Sequence, residues 1–195
     1  GVPEQQEDEP AGPITLRLAE TYSEEHPTTE ALRVFARMVT ERTQGGVEIE
    51  VYPSGELGGE ERIVEAVIAG RVDMARVSVV ALATHAEELA LLQLPYLFRD
   101  GDQMWRVLGS PIGEELLDGL SAVGLVGLSW YEAGERGFYN SVREVADPSD
   151  LVALDIGVRE SEFLLDLLEA VGAMATPLPA AEIGGALERG EIDGA

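Results

Sequence analysis

The fold is decided by the stretch AGRVDMA at residues 69–75, which returns at the end of the chain as RGEIDGA at residues 189–195. Each stretch follows an amphipathic helix signal and contains, in the same order, a glycine, a β-branched residue, an aspartate and an alanine. A glycine in this position is typical of a helix C-terminus, and the β-branched residue is typical of a strand. The pattern predicts the same helix-to-strand connection twice. It favours two similar α/β lobes with a cleft between them, the alternative being a chance match of a common turn.

Outward from this stretch, short strand signals alternate with amphipathic helix signals from Ile14 onward. Alternating apolar residues predict strands that begin at Ile14 and Val47, and a helix that begins at Pro27 separates them. A nearly continuous apolar run predicts a buried strand over Val72–Val80, and a further strand is predicted over Leu125–Trp130. Strands and helices that alternate in this way predict parallel sheets and an α/β fold.

The same patterns divide the chain into three parts. Residues 1–13 are acidic, rich in proline and glycine and without apolar periodicity, which predicts a disordered leader. Residues 14–132 are predicted to form a first α/β lobe, and residues 133–195 are predicted to form a second.

Composition excludes several classes of function. The 195 residues carry 37 acidic and 13 basic side chains, a net charge of −24, and such a field repels nucleic acid. The chain has no cysteine and two histidines, so thiolate metal sites, iron–sulfur clusters and histidine-based catalysis have little to build on. No apolar run is long enough to span a bilayer. We therefore expect no metal, no cofactor, no nucleic-acid partner and no membrane insertion.

Two arginines stand out in this acidic chain, because each follows a predicted strand. Arg136 lies in the segment AGERGFYN at residues 133–140, and Arg159 comes directly after the strand predicted over Leu154–Val158. Loops after the carboxyl ends of parallel strands commonly bind ligands, and a guanidinium suits a carboxylate ligand. Pairing with a local acidic side chain is the alternative for both.

Six ordered segments together resemble one known family. They are VYPSGELG at residues 51–58, GRVDM at 70–74, LPYLF at 94–98, GERGFYN at 134–140, TPLP at 176–179 followed by Glu182, and IDGA at 192–195. From about Ile14 to Ala195, the chain resembles the solute-binding proteins of tripartite ATP-independent periplasmic (TRAP) transporters, the DctP-like family.

The resemblance implies a two-lobed periplasmic-binding-protein fold of type II, in which each lobe is a mainly parallel sheet flanked by helices. It implies a receptor without enzymatic activity that binds an organic acid, such as a C4-dicarboxylate or another carboxylate, between the lobes. The receptor would deliver this ligand to a membrane permease driven by an ion gradient. It would be periplasmic or extracellular, with its signal peptide removed and a lipoprotein tether as an open alternative. A receptor that presents ligand to a sensor protein, an α/β enzyme acting on organic acids and a fragment that binds nothing are the competing hypotheses.

Carried over by position, the resemblance implies a ligand site formed by Thr21, Glu60, Ser78 and Arg136. The family commonly has an asparagine near the first of these positions and an acidic or polar residue near the third, so the identity of the ligand stays open.

The chain departs from the family pattern in two ways. Gly157 stands where the family has its carboxylate-binding arginine, and we expect Arg159, two residues later on the same face of a strand, to replace that arginine. The resemblance also implies that the C-terminal third of such receptors is missing after Ala195, so the second lobe is expected to be incomplete.

Overall fold

The computed structural model describes residues 12–134, 137–159 and 161–195. Within these residues the chain forms two compact units, the first ending at Tyr131 and the second extending from Glu132 to Ala195. Most of the predicted leader, residues 1–11, lies outside the described residues.

The first unit is built on a parallel three-stranded sheet whose central strand comes first in the sequence. Strand β1 (Ile14–Ala19) pairs along its whole length with β2 (Val47–Tyr52), and its last two residues pair with β3 (Met74–Ala75). Parallel strands need long crossover connections. Helices α1 (Pro27–Arg42) and α2 (Glu60–Ile68) supply these connections.

The core of this unit forms where β1 meets the inner face of α2. Ile63 is fully buried against Ala19, and Ala66 and Val72 complete the cluster. Small residues on the strand allow the helix to pack closely, and this packing fixes the carboxyl end of β1 beside the start of α2.

The strand predicted over Val72–Val80 is confirmed only at Met74 and Ala75. Helix α3 (Val79–Ala83) begins within this apolar run, and the Ser78 hydroxyl caps it by accepting a hydrogen bond from the N–H of Ala81 at 3.4 Å. The backbone N–H of Ser78 donates to the Glu60 carboxylate and is therefore not available to a neighbouring strand. An apolar run alone does not distinguish a strand from a short buried helix.

The remainder of the first unit is mostly helical, starting with a 3₁₀ helix over Glu87–Gln93, and it ends in a segment without regular secondary structure. Helices α4 (Gly101–Leu108) and α5 (Pro111–Gly119) are followed by a 3₁₀ turn over Leu120–Val123. Residues 125–130 form no strand in the described part of the chain, so the prediction of a strand over Leu125–Trp130 is wrong. Val126 and Leu128 are 80% and 67% exposed on this segment.

The second unit repeats this plan at a smaller size. Strand β4 (Asp155–Val158) pairs in parallel with β5 (Met174–Pro177), and helix α6 (Glu162–Ala170) joins them. Helix α7 (Ala180–Arg189) then returns the chain to β4, where Gly194 forms a parallel bridge with Ile156. Leu151, Leu154, Ile156, Leu168 and Ala173 form its core.

The predicted repeat of the helix-to-strand connection is confirmed. In both units the glycine that follows the helix adopts φ of +67°, and the aspartate three residues later accepts the backbone N–H of a residue in the first strand of its own sheet. Asp73 accepts from Arg17 at 2.8 Å, and Asp193 accepts from Asp155 at 2.9 Å.

Candidate ligand-binding site

A buried ion pair lies at the carboxyl ends of β1 and β3. Glu20, the residue after β1, is fully buried, and the Arg76 side chain after β3 is 9% exposed. Arg76 donates from Nε to Glu20 Oε2 at 2.8 Å and from a terminal nitrogen to Oε1. Glu20 Oε1 also accepts the backbone N–H groups of Thr21 at 2.6 Å and Tyr22 at 2.9 Å. A bidentate pair with two additional backbone donors holds both side chains in one geometry.

The electrostatic surroundings keep Arg76 charged. Burial alone would lower the pKa of Arg76, but the hydrogen bonds and the charge of Glu20 outweigh burial, so that the pKa of this guanidinium is raised. Its Cζ atom also lies 4.1 Å from the centre of the Tyr22 ring, a cation–π contact.

The cation–π contact between Arg76 and Tyr22 extends into the turn between β1 and α1. The Tyr22 ring stacks on His26 with ring centres 4.0 Å apart. Nδ1 of His26 accepts the N–H of Thr28 at 3.1 Å and thereby caps the start of α1. Arg76, Tyr22 and His26 therefore link the edge of the sheet to the first turn of the helix.

A second carboxylate completes the cluster. Glu60, the first residue of α2, accepts the Ser78 backbone N–H on Oε1 at 3.0 Å and the Ser78 hydroxyl on Oε2 at 2.6 Å. Its Oε1 lies 3.7 Å from a terminal nitrogen of Arg76, and its side chain is 10% exposed. We call Glu20, Arg76 and Glu60 the carboxylate–arginine cluster; it contains two negative charges and one positive charge.

Three of the six predicted site residues meet at this cluster. Thr21 binds Glu20 through its backbone, and Ser78 binds Glu60 through both its backbone and its hydroxyl. Gly157 and Arg159 lie at the carboxyl end of β4 in the second unit. Arg136 lies outside the described residues.

The structure places a packing contact at Gly157. A Cβ atom built on Gly157 would lie 2.5 Å from Cδ1 of Ile192, so Ile192 occupies the space into which the expected arginine would project. Replacement of that arginine by Arg159 remains a prediction.

Glu20 and Arg76 are the two cluster residues that the sequence analysis missed. Each is a charged residue within an apolar strand signal, in the stretches LRLAE at residues 16–20 and MARVSV at residues 74–79. A buried charge requires a partner of opposite sign. A glutamate and an arginine at the ends of two predicted strands could therefore have predicted this ion pair.

Carboxylate oxygens accept hydrogen bonds, and the guanidinium donates them, so the cluster suits a polar organic ligand. Among the described residues, no group of His, Asp and Glu side chains is arranged to hold a metal ion. No helix in the described ranges is both long and apolar enough to cross a bilayer.

Comparison with known proteins identifies the family. The sequence profile of "Bacterial extracellular solute-binding protein, family 7" (DctP) matches residues 18–195. A TRAP periplasmic solute-binding protein from Xanthobacter autotrophicus Py2 with bound β-D-galacturonate is 35% identical, with a TM-score of 0.84 over 92% of this chain and 60% of that chain. One from Sulfurospirillum deleyianum with bound succinate is 30% identical, with a TM-score of 0.82 over 94% and 59%.

A curated relative gives the same result. The 2,3-diketo-L-gulonate-binding periplasmic protein YiaO of Escherichia coli is 30% identical over 92% of this chain and 55% of its own length. The chain thus spans a little more than half of this relative and about 60% of the solved chains. Because the profile matches nearly its whole length, the chain belongs to the DctP family of bacterial extracellular solute-binding proteins, and the solved proteins named above are TRAP periplasmic solute-binding proteins.

Proposed function

We propose that this chain is the solute-binding component of a TRAP transporter, which binds an organic acid outside the cytoplasm and delivers it to a permease driven by an ion gradient. The observation that carries the proposal is the family match over residues 18–195. The carboxylate–arginine cluster supports it, because it places polar side chains at the carboxyl ends of two parallel strands, where open α/β sheets bind ligands. Since the chain spans only part of its relatives, the activity is proposed for the full-length protein that contains it.

The ligand class follows from the chemistry that the relatives' ligands share. Galacturonate, succinate and 2,3-diketo-L-gulonate are all carboxylates. Arg159 follows a parallel strand in the second unit, and Arg136 lies in the family-like segment GERGFYN at residues 134–140, so both are proposed as carboxylate-binding residues. The same relatives support a periplasmic or extracellular location.

Calorimetric titration of the full-length receptor tests the binding step. The panel contains D-galacturonate, D-glucuronate, 2,3-diketo-L-gulonate and succinate. We expect saturable binding of one ligand per chain. We also expect NMR after prolonged incubation to show that the ligand is recovered unchanged. Failure of every acid in the panel to bind would contradict the proposal, and chemical conversion of a bound acid would favour the enzyme hypothesis.

Transport tests the delivery step. The receptor, its ligand and the cognate permease are combined in proteoliposomes with an imposed ion gradient. We expect uptake of labelled ligand that requires both the receptor and the gradient. Uptake of equal rate without the receptor would exclude a role in delivery.

A further inference from the structure

We infer that His26 is a pH-sensitive switch at the start of α1: its neutral ring fixes the turn between β1 and α1, and protonation of the ring releases that turn. The switch belongs to the first unit alone and does not depend on which ligand the receptor binds. The side chain of His26 is half-buried, so the ring contacts both solvent and the structure that it supports.

The first step is the hydrogen bond at Nδ1 of His26. This nitrogen accepts the N–H of Thr28 at 3.1 Å and caps α1, which requires that Nδ1 carries no proton. A protonated imidazole has a hydrogen on both ring nitrogens and accepts no hydrogen bond. Histidine is the side chain that ordinarily changes charge between about pH 5 and pH 8. The cap of α1 therefore exists only while His26 is neutral.

The second step is the charge around the ring. Charged side chains lie on the same turn, on α1 and next to Tyr22: they are Glu24, Glu25, Glu30, Arg33, Arg37, Arg76 and Glu20. Glu25 and Glu30 are exposed and attract a cation, whereas the positive end of the α1 dipole repels it. A protonated His26 is therefore expected to move away from the helix N-terminus toward solvent.

The third step is what the ring supports. His26 stacks on Tyr22 with ring centres 4.0 Å apart, so a ring that leaves the cap also leaves this stack. Tyr22 keeps its contact with Arg76, because Arg76 is fixed by its bidentate pair with Glu20. Glu20 also holds the backbone N–H of Tyr22 at 2.9 Å. Protonation should therefore release the chain after Tyr22, up to Thr28, and leave the sheet edge in place.

NMR of the full-length receptor at about pH 8 and about pH 5.5 tests the switch. At the higher pH, the nitrogen chemical shift of His26 Nδ1 should be that of an unprotonated nitrogen. At the lower pH, this nitrogen should carry a proton. The hydrogen-exchange protection factor of the Thr28 amide should then fall about two- to 30-fold, the range that corresponds to the loss of an N-cap.

Two variants separate His26 from other effects of pH. His26→Asn supplies a capping oxygen that does not titrate, so the protection of Thr28 should be equal at both pH values. His85→Asn replaces the other histidine of the sequence, which is exposed, and should show the same fall as the wild type. Unchanged Thr28 protection in the wild type would overturn the inference, as would an equal fall in His26→Asn or a protonated Nδ1 at about pH 8.

Discussion

Gly157 is explained by packing within the second unit. In the first unit Asp73 accepts the backbone N–H of Arg17, and in the second Asp193 accepts the backbone N–H of Asp155. Ala19 and Gly157 each lie two residues after these strand residues, so the two positions correspond. Ala19 is fully buried beneath α2, and the place of a side chain at position 157 is taken by Ile192. A small residue at this point of the central strand therefore lets the neighbouring elements pack closely.

Arg159 is predicted to bind the carboxylate of the ligand. It follows the last residue of β4, on the strand edge where α/β sheets bind ligands. A hydrogen bond between charged groups contributes about 1.5 to 3 kcal/mol, so Arg159→Ala in the full-length receptor should weaken organic-acid binding roughly 10- to 150-fold. Isothermal titration calorimetry measures the change.

The control for Arg159→Ala is Arg189→Ala in the same unit. Arg189 is exposed and pairs with Glu191 at 2.8 Å, and its removal should leave affinity unchanged. An unaltered dissociation constant for Arg159→Ala, with an unaltered melting curve, would exclude this residue from the site.

Residue by residue, the candidate site was only partly predictable. Glu60 and Ser78 could be placed because they follow family-like motifs, but their direct hydrogen bonds depend on the early end of β3. Arg76 was hidden within an apolar run that predicted an uninterrupted strand. Apolar periodicity predicts which residues are buried. It does not predict which buried charged residue forms an ion pair with a residue of another strand.

At the scale of elements, the connection from α7 to the last residues offers a matched pair of glycines. Gly190 ends the helix with φ of +67°, a conformation that an L-residue adopts at a cost, and a Cβ there would meet no neighbouring atom. Gly184 lies inside the same helix, also with open space around it. Adding a Cβ methyl group should therefore lower the free energy of unfolding at Gly190 and raise it at Gly184.

We predict that Gly190→Ala lowers the free energy of unfolding by about 1 kcal/mol and that Gly184→Ala raises it by about 0.5 to 1 kcal/mol. Urea denaturation followed by circular dichroism measures both. A loss of stability in Gly184→Ala would show that α7 is not an ordinary exposed helix at that turn.

Elements were predicted best where their partners are close in sequence. The strands that begin at Ile14 and Val47 and the helix between them agree with the structure, because amphipathic alternation determines which face is buried. The strand over Leu125–Trp130 was predicted from the local pattern of strands and helices, and the structure forms no strand there, because strand formation also needs a partner strand that local sequence does not specify.

For the molecule as a whole, charge is the dominant surface property. With a net charge of −24 on 195 residues, repulsion among acidic side chains opposes the compact state. Raising sodium chloride from about 0.01 M to about 1 M shortens the Debye length from about 30 Å to about 3 Å, so the melting temperature should rise. Differential scanning calorimetry in a series of salt concentrations measures this trend. A flat or falling trend would indicate that ion pairs such as Arg33–Glu24 already compensate the repulsion.

The position of β1 at the centre of its sheet sets an order of assembly. Its first neighbour, β2, follows after one helix. On the other side of β1, the Arg17 N–H donates to Asp73, which lies 56 positions later in the chain. In the second unit, the equivalent pair, Asp155 and Asp193, is separated by 38 positions. One side of the earliest strand therefore stays unpaired until β3 has been synthesised in the first unit and until the segment around Gly194 has been synthesised in the second. Closing such a loop costs conformational entropy before the contacts that compensate for this loss have formed. Each sheet should therefore form late, in a single cooperative step, after its most C-terminal segment is free to fold.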